Sequence, residues 1–362
     1  MNNTYCVIMA GGIGSRFWPM SKSTRPKQFI DILGTGQSLI QQTFDRLKNI
    51  CALENFLVVT SRDYKDLVKE HLPELQDHQI LSEPLRRNTA PCIAYACYKI
   101  KQLNPNAKVI VAPSDHLITK EIQFLNQLKR GLNYVEKNDV LLTLGIRPHR
   151  PETGYGYIQI SNQIDFEGAT NLYQVKTFTE KPDIKMAQVF MESGEFFWNS
   201  GIFIWSVKTI VKSFEEHLPE INKLFKKGKK HYNTPDEIHV INKAYSECPN
   251  ISIDYGIMEK ADNVSVLTAD FGWSDLGTWG SLYENVEKDS NGNVTSGDNV
   301  IVYDSHNCII KVPDEKLVVV QGMENYIIVE SDNTMLICNK EEEQQIRQFV
   351  TDVRINKGDE FV

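Results

Sequence analysis

Val7-Ile8-Met9-Ala10-Gly11-Gly12-Ile13-Gly14-Ser15-Arg16-Phe17-Trp18-Pro19, continued at Pro26-Lys27-Gln28-Phe29, is the stretch around which this chain is organised. Tyr5 to Met9 is a short apolar run and predicts a buried first strand. Three glycines in four residues follow, at 11, 12 and 14. They allow a sharp turn and a close approach of backbone to a ligand, because no Cβ stands in the way. N–H groups exposed in such a turn form an anion-binding concavity. Arg16 adds a guanidinium fork suited to phosphate oxygens, and Lys27 a mobile point charge. The chemistry implied is a grip on a polyphosphate.

Two familiar glycine loops do not fit. The P-loop requires four residues between its first glycine and a Gly-Lys-Ser/Thr triplet, and that triplet is missing. The dinucleotide fingerprint would run Gly12, Gly14 and then Phe17, without its third glycine. Pro19 also interrupts the helix that should follow at once. The longer string, Ala10-Gly11-Gly12 with Gly14, Arg16, Trp18-Pro19 and then Pro26-Lys27-Gln28-Phe29, resembles the signature of sugar-1-phosphate nucleotidylyltransferases. Within that family it is similar to the GDP-mannose pyrophosphorylase branch. Lys22 stands where that branch more often has arginine, a departure that touches only a peripheral contact.

A chain of 362 residues accommodates one large domain plus a smaller one. Hydrophobic content of 41% and charged content of 24% are ordinary for a soluble globular protein. No secretory signal and no apolar run long enough to span a bilayer are present in the sequence, so no membrane association is expected. The seven cysteines are scattered without a Cys-x-x-Cys pair. Reduced, mostly buried thiols in a cytoplasmic protein are expected, with neither a zinc site nor a disulfide framework. The net charge of −8 argues against a general nucleic-acid binder, while a nucleotide substrate needs only a few local cations.

Beyond the glycine turn, periodicity predicts a helix from Leu39 to Asn49 with Ser38 as cap, and a strand from Phe56 to Thr60. A helix from Tyr64 to Leu72, a strand at Ile80-Leu81, a helix from Pro91 to Leu103 and a strand from Val109 to Ala112 follow. This alternation predicts a parallel sheet with helices on both faces, and ligands bind at the carboxyl ends of such strands. The glycine turn, Glu83 to Asn88, and Asp115 all fall at such ends. Further on, the pattern predicts a helix from Glu121 to Glu136, strands at Val140–Leu144 and Val175–Thr179, an apolar run at Ile202–Val207 and one helix from Ile210 to Leu224. Lys226, Lys227, Lys229 and Lys230 read as a solvated helix end. Composition shifts at Asp289 to Asn299, a linker or capping turn. Short β-type runs at Val300–Val302, Cys308–Ile310, Leu317–Val320, Tyr326–Val329 and Met335–Ile337 predict a small all-β module, closed by a helix from Glu341 to Val353. No strict hexapeptide repeat is present, so the β-helix reading of that module leans on the family. The expected fold is therefore α/β: a Rossmann-like mixed, mainly parallel sheet in a catalytic domain at 1–288, and a left-handed β-helix-like module at 289–362.

Six motifs carry the resemblance in the family's order: the glycine turn, Arg87-Asn88-Thr89-Ala90-Pro91, Pro113-Ser114-Asp115-His116, Glu180-Lys181-Pro182, Trp198-Asn199-Ser200-Gly201 and Gly272-Trp273-Ser274-Asp275. What it implies is nucleotidyl transfer from GTP to mannose 1-phosphate. A sugar phosphate is already ionised at neutral pH, so positioning and charge neutralisation suffice and no general base is needed. The resemblance assigns Ala10, Gly11, Gly12, Gly14, Ser15, Arg16 and Lys27 to the nucleotide, with Glu83 or Asn88 reading the guanine edge. It assigns Asp115 and Asp275 to Mg²⁺, Asp115 also facing the nucleotide. Lys181 is the cation for the sugar phosphate, Glu180 and Asn199 meet sugar hydroxyls, and Gly154 brings backbone close to the sugar. Read from residue type alone, either aspartate is a turn residue or N-cap, Asn199 a turn asparagine and Lys181 a surface lysine. His116 reads as structural. Other bases or sugars, and a non-catalytic sugar-nucleotide-binding subunit, are the rival readings. Longer relatives carry an isomerase domain, and no isomerase activity is expected here. A homodimer through the β module is the expected assembly.

Overall fold

Strands β1 (Thr4–Met9), β2 (Phe56–Ser61), β3 (Ile80–Glu83) and β4 (Lys108–Pro113) form the parallel half of a nine-stranded sheet. A two-residue strand, β5 (Leu117–Ile118), stands outside it. The other half comprises β6 (Leu141–Ile146), β7 (Gly156–Gln163), β8 (Leu172–Glu180), β9 (Phe196–Ser206) and β10 (Val264–Ala269). The order across the sheet is β3-β2-β1-β4-β9-β6-β10-β8-β7. β1 aligns with β2 from Cys6 opposite Phe56, and with β4 up to Met9 opposite Pro113. The second half is mixed: β10 runs parallel to β6, whereas β9 runs antiparallel to both β4 and β6.

The computed structural model describes residues 3–362. The chain divides into two units that are not consecutive in sequence. The first holds residues up to Gly11, Thr43–Ser114 and Ile118–Trp273; the second holds Gly12–Gln42, Asp115–Leu117 and Ser274–Val362.

In the first unit β2 and β6 are buried along their whole length, as strands covered on both faces must be, and their sequences are mostly apolar, with the hydroxyls of Thr60, Ser61 and Thr143 as the polar exceptions. The helix Thr89–Leu103 is buried from Ala90 to Ile100. Its predicted start at Pro91 moves back two residues, because Asn88 caps it by accepting a bond from the Thr89 N–H, and Pro91 is accommodated in the first turn. The single helix expected from Ile210 to Leu224 is two, Val207–His217 and Pro219–Lys227. Pro219 has no N–H to donate and disfavours helical backbone at Leu218, whose φ is −132°. The lysines at 226, 227, 229 and 230 are exposed around the buried Gly228, as a solvated helix end.

Strand β11 (Trp273–Ser274) carries the chain into the second unit. There β12 (Val294–Ser296), β13 (Val300–Tyr303), β14 (Ile309–Lys311), β15 (Val318–Gln321), β16 (Tyr326–Ser331) and β17 (Thr334–Asn339) form two sheets. β12, β14 and β16 stack in parallel, Val294 opposite Ile309 and Ile309 opposite Ile327, and β17 closes them antiparallel. β13 and β15 pair in parallel from Val300 opposite Val318. Coils of unequal length, 15 and then 18 residues from Val294 to Ile309 to Ile327, explain the missing short repeat. The stretch expected to be a linker at 289–299 includes β12, held because the Asn293 side chain accepts from the Cys308 N–H and donates to the Ser305 carbonyl. The closing helix is Ile346–Lys357, preceded by a tighter turn at Lys340–Gln345.

From Gly12 onward the glycine turn belongs to this second unit and rests on its core. Phe17 and Trp18 pack with Trp279, Ile309, Ile327 and Ile346. The Phe17 and Trp279 rings lie 5.0 Å apart, and the Trp18 indole donates to the Phe361 carbonyl at 2.8 Å. Such a ring pair adds about 1 kcal/mol beyond the area it buries.

Candidate functional site

Lys27 organises the second unit's site. Its side chain is 3% exposed, and Nζ lies 2.8 Å from Asp115 Oδ2. It also donates to the Asp275 carbonyl at 2.8 Å and the Leu276 carbonyl at 2.9 Å. All three ammonium protons are therefore used. The lysine expected to be a mobile point charge is a fixed tether joining segments almost 250 residues apart. Gly14 makes room for it: φ is 72°, and a Cβ there would meet Lys27 Cβ at 2.4 Å. Leu276 is turned towards Lys27 by a positive φ of 44°, an uncommon state for a branched residue and one worth about 1–3 kcal/mol of strain.

Asp115 follows β4 and Asp275 follows β11. Both line a cavity of about 410 Å³ with Gly14, Arg16, Lys27 and Arg347. The Asp115 side chain is 30% exposed there. Burial raises its pKa, but the Lys27 ammonium and His116 outweigh that and hold the carboxyl below the usual aspartate range. Asp275 Oδ1 accepts from the Gly277 N–H at 2.8 Å, and a Cβ at Gly277 would strike Oδ2 at 2.5 Å, so that glycine leaves the carboxylate its space. Arg16 follows Gly14 in the turn Ser15–Phe17, and its Nε is buried without a hydrogen-bond partner among the described residues. His116 lines the same cavity.

Of the remaining sequence-predicted residues, Gly12 and Ser15 belong to the second unit, Ser15 on the same cavity, and the others lie in the first. Ala10 follows β1, fully buried, and its carbonyl accepts from Thr60. Glu83, at the end of β3, accepts from the Tyr245 hydroxyl at 2.9 Å. Burial raises its pKa to about 7 against the lowering effects of Tyr245 and Arg86. A Cβ at Gly11 would stand 3.2 Å from Glu83 Oε2, so Gly11 opens the space beside that carboxyl. Asn88 is exposed, with its side chain engaged as the helix cap. Lys181 has a φ of 49°, is 62% exposed and stands 3.7 Å from Glu180 Oε2. Glu180 is raised to about 7, first by burial and then by Asp254. Asn199 is not in a turn. It sits in β9 beside an irregularity of register with β6, donates to Asp254 Oδ1 at 2.8 Å and accepts from Thr143 and the Gly201 N–H. The Gly154 N–H donates to Glu152, while a Cβ at Gly156 would lie 2.1 Å from Glu180 Oε1.

A family model described as nucleotidyl transferase matches residues 5–292, and one described as MannoseP isomerase/GMP-like beta-helix domain matches 298–353. A mannose-1-phosphate guanylyltransferase of Klebsiella pneumoniae is 37% identical over 98% of this chain and 75% of its own length. The chain belongs to this family of nucleotidyl transferases. Family membership is carried equally by the alginate biosynthesis protein AlgA of Pseudomonas aeruginosa, 36% identical over 96% of this chain and 71% of that protein. A crystal structure described as mannose-1-phosphate geranyltransferase from Thermus thermophilus superposes with a TM-score of 0.87 at 29% identity, covering 97% of this chain and 99% of that one.

For a nucleotidyl transferase, the donor set at Asp115 and Asp275 suits a hard divalent cation. Two carboxylates share one cavity that leaves room for phosphate oxygens and water, and Lys27 keeps Asp115 ionised. Three residues escaped sequence reasoning. Asp254 lies in the motif-like segment Ile251-Ser252-Ile253-Asp254-Tyr255-Gly256, which carries no role on residue type, and its bond to Asn199 marks it out. Gly156 was hidden by its neighbour Gly154. Arg347 lies on the closing helix, with no motif around it.

Proposed function

We propose that this chain transfers GMP from GTP to α-D-mannose 1-phosphate, releasing GDP-mannose and pyrophosphate. The observation that supports it most is the gathering of Arg16, Lys27, Asp115 and Asp275 on one cavity, in a chain whose relatives carry the name mannose-1-phosphate guanylyltransferase. A phosphate oxygen of the sugar phosphate attacks the α-phosphorus in line. The bond from that phosphorus to the bridging β-phosphate oxygen breaks, and no proton need be removed.

Arg16 supplies a guanidinium to phosphate oxygens beside the glycine turn. Asp115 and Asp275 would hold Mg²⁺, with Lys27 fixing the segments that bear them. When bound, Mg²⁺ neutralises charge on the phosphate oxygens. Lys181 receives the sugar phosphate, and its left-handed backbone is the kind of strained conformation found at ligand-gripping residues. Glu180 and Asn199 orient sugar hydroxyls, and Gly154 offers backbone. Gly11 to Ser15 approach the nucleotide with backbone, anchored by the buried Ala10, whose own N–H and carbonyl bond to Val59 and Thr60. Glu83 is the better reader of the guanine edge, because its carboxyl is buried at a strand end while the Asn88 side chain caps a helix.

A panel of nucleoside triphosphates and sugar 1-phosphates, read by pyrophosphate release, tests this. Highest kcat/KM for GTP with mannose 1-phosphate is expected. Preference for UTP or dTTP would reject the substrate assignment, and no release with any pair would favour a binding subunit. We further take 1–288 and 289–362 as the functional modules. We infer a homodimer through the β13–β15 face, where Ile301 pairs with Val319 and both stand exposed beside Tyr303. Sedimentation as a monomer at micromolar concentration would refute it. No helix among the described residues is long and apolar enough to cross a membrane. Seven buried cysteines without disulfides support a reducing, cytoplasmic setting.

A further inference from the structure

Arg347 stands on the first turn of the closing helix Ile346–Lys357 and lines the same cavity as Gly14, Ser15, Arg16 and Lys27. That helix packs against the turn Ser15–Phe17. Its neighbour Ile346 is fully buried with Phe17 and Trp279. Apolar burial therefore fixes where Arg347 sits; no attraction of its own does. The guanidinium faces another cation. Partial burial and the charge of Arg16 both lower its pKa below the usual arginine value. Among the described residues neither Arg16 nor Arg347 makes an ion pair, and Arg16 Nε is buried and unpartnered. Lys27, by contrast, is fully committed to Asp115 and two backbone carbonyls.

Two guanidinium groups that repel each other, one with an orphaned donor, are costly until an anion comes between them. Their planar forks match phosphate oxygens in pairs. The cavity's three cations, Arg16, Lys27 and Arg347, outnumber its two carboxylates. Without Arg347 the arginine and lysine side chains of the cavity would only balance its two carboxylates.

We propose that Arg347 is a nucleotide-binding residue, forming with Arg16 a two-armed clamp on the polyphosphate, so that the closing helix of the C-terminal module supplies part of the nucleotide site. This rests on the reading of the cavity as a nucleoside triphosphate site. It also couples polyphosphate binding to the docking of residues 346–357.

The test compares Arg347→Ala and Arg347→Lys with the unaltered 362-residue chain. Thermal unfolding is measured alone and with Mg²⁺ plus inorganic pyrophosphate or GTP, alongside initial rates. In Arg347→Ala the melting temperature without ligand should hold or rise, because a like charge has been removed from beside Arg16. The stabilisation added by pyrophosphate should shrink. KM for GTP should rise about tenfold, the loss of one charge-assisted contact at a partly exposed site. KM for mannose 1-phosphate should not move, and Arg347→Lys should recover part of the loss. A lower melting temperature without ligand, with KM for GTP and the pyrophosphate effect unchanged, would make Arg347 structural and overturn the clamp while leaving the proposed reaction intact. A wild type stabilised by neither pyrophosphate nor any nucleoside triphosphate would overturn the reading of the cavity, and the clamp with it.

Discussion

Lys27→Met removes the charge at the centre of the second unit's site and nearly preserves its volume. The lysine is 3% exposed and bonded at 2.8 Å to Asp115, and at 2.8 and 2.9 Å to the carbonyls of Asp275 and Leu276. Breaking a buried ion pair by removing one partner costs about 3–5 kcal/mol. Two carbonyls left without a donor add about 1–3 kcal/mol each, though such terms in one network do not sum. Asp115 keeps 30% exposure and regains some hydration, and the methionine gains apolar contact. A net loss of about 3–4 kcal/mol at pH 7 follows.

The loss should depend on pH. Although burial pushes the Asp115 carboxyl up, Lys27 and His116 hold its folded pKa below the ordinary value. Ionised Asp115 thus contributes stability that is fully present above its unfolded pKa of about 3.9 and disappears as pH falls through the lower folded value. With Lys27 gone, burial dominates and that contribution reverses. The gap between variant and wild type should therefore narrow as pH is lowered from 7 towards 4. Urea unfolding followed by tryptophan fluorescence reads it, because Trp18 and Trp279 both lie in the core of this unit. A deficit under about 0.5 kcal/mol, or one independent of pH, would show that Lys27 is not the tether described.

Asp115→Asn and Asp275→Asn should each lower kcat with Mg²⁺ by roughly a hundredfold or more, and near-wild-type turnover in either would remove that residue from the metal site. For Lys181→Ala, KM for mannose 1-phosphate should rise about tenfold to a hundredfold with KM for GTP little changed; equal weakening of both would contradict its assignment. Glu180→Gln tests the buried carboxyl whose pKa is raised to about 7 by burial and by Asp254. A raised folded pKa means the native state holds a proton that the unfolded chain releases, so wild-type stability should fall as pH rises from about 4.5 to 7 and level off above. The variant should flatten that slope by about 1–3 kcal/mol. Glu83 is raised in the same way and retains part of the slope; an unaltered slope in Glu180→Gln would sink the argument.

Elements of local origin were legible in the chain itself. The apolar runs of β1, β2, β4 and β6, the helix ending at Leu103, and the short strands of the C-terminal module come from residue spacing alone. Those patterns report burial and period, which neighbours in sequence determine. The motifs around Asp115, Lys181, Asn199 and Asp275 were legible too, through their resemblance to the family's, whereas residue type alone reads Asn199 as a turn residue and it lies in β9. Boundaries were less so. The break at Pro219 is local in origin but sits inside an otherwise continuous helical period, and the strand at Val294 depended on a backbone partner at Ile309, elsewhere in the chain.

Only the tertiary structure decided which of these groups meet. That Lys27 reaches Asp115 and the Asp275–Leu276 backbone, that Asp254 holds the Asn199 amide, and that Arg347 shares a cavity with Arg16 are contacts across tens to hundreds of residues. No local period encodes them. The same holds for the two glycines whose reasons became plain only in three dimensions: Gly14 for the Lys27 stem and Gly156 for the Glu180 carboxyl. A chain's residue types determine what chemistry is available, whereas distance and desolvation, which set the strength of every charge interaction, exist only once distant segments have packed together.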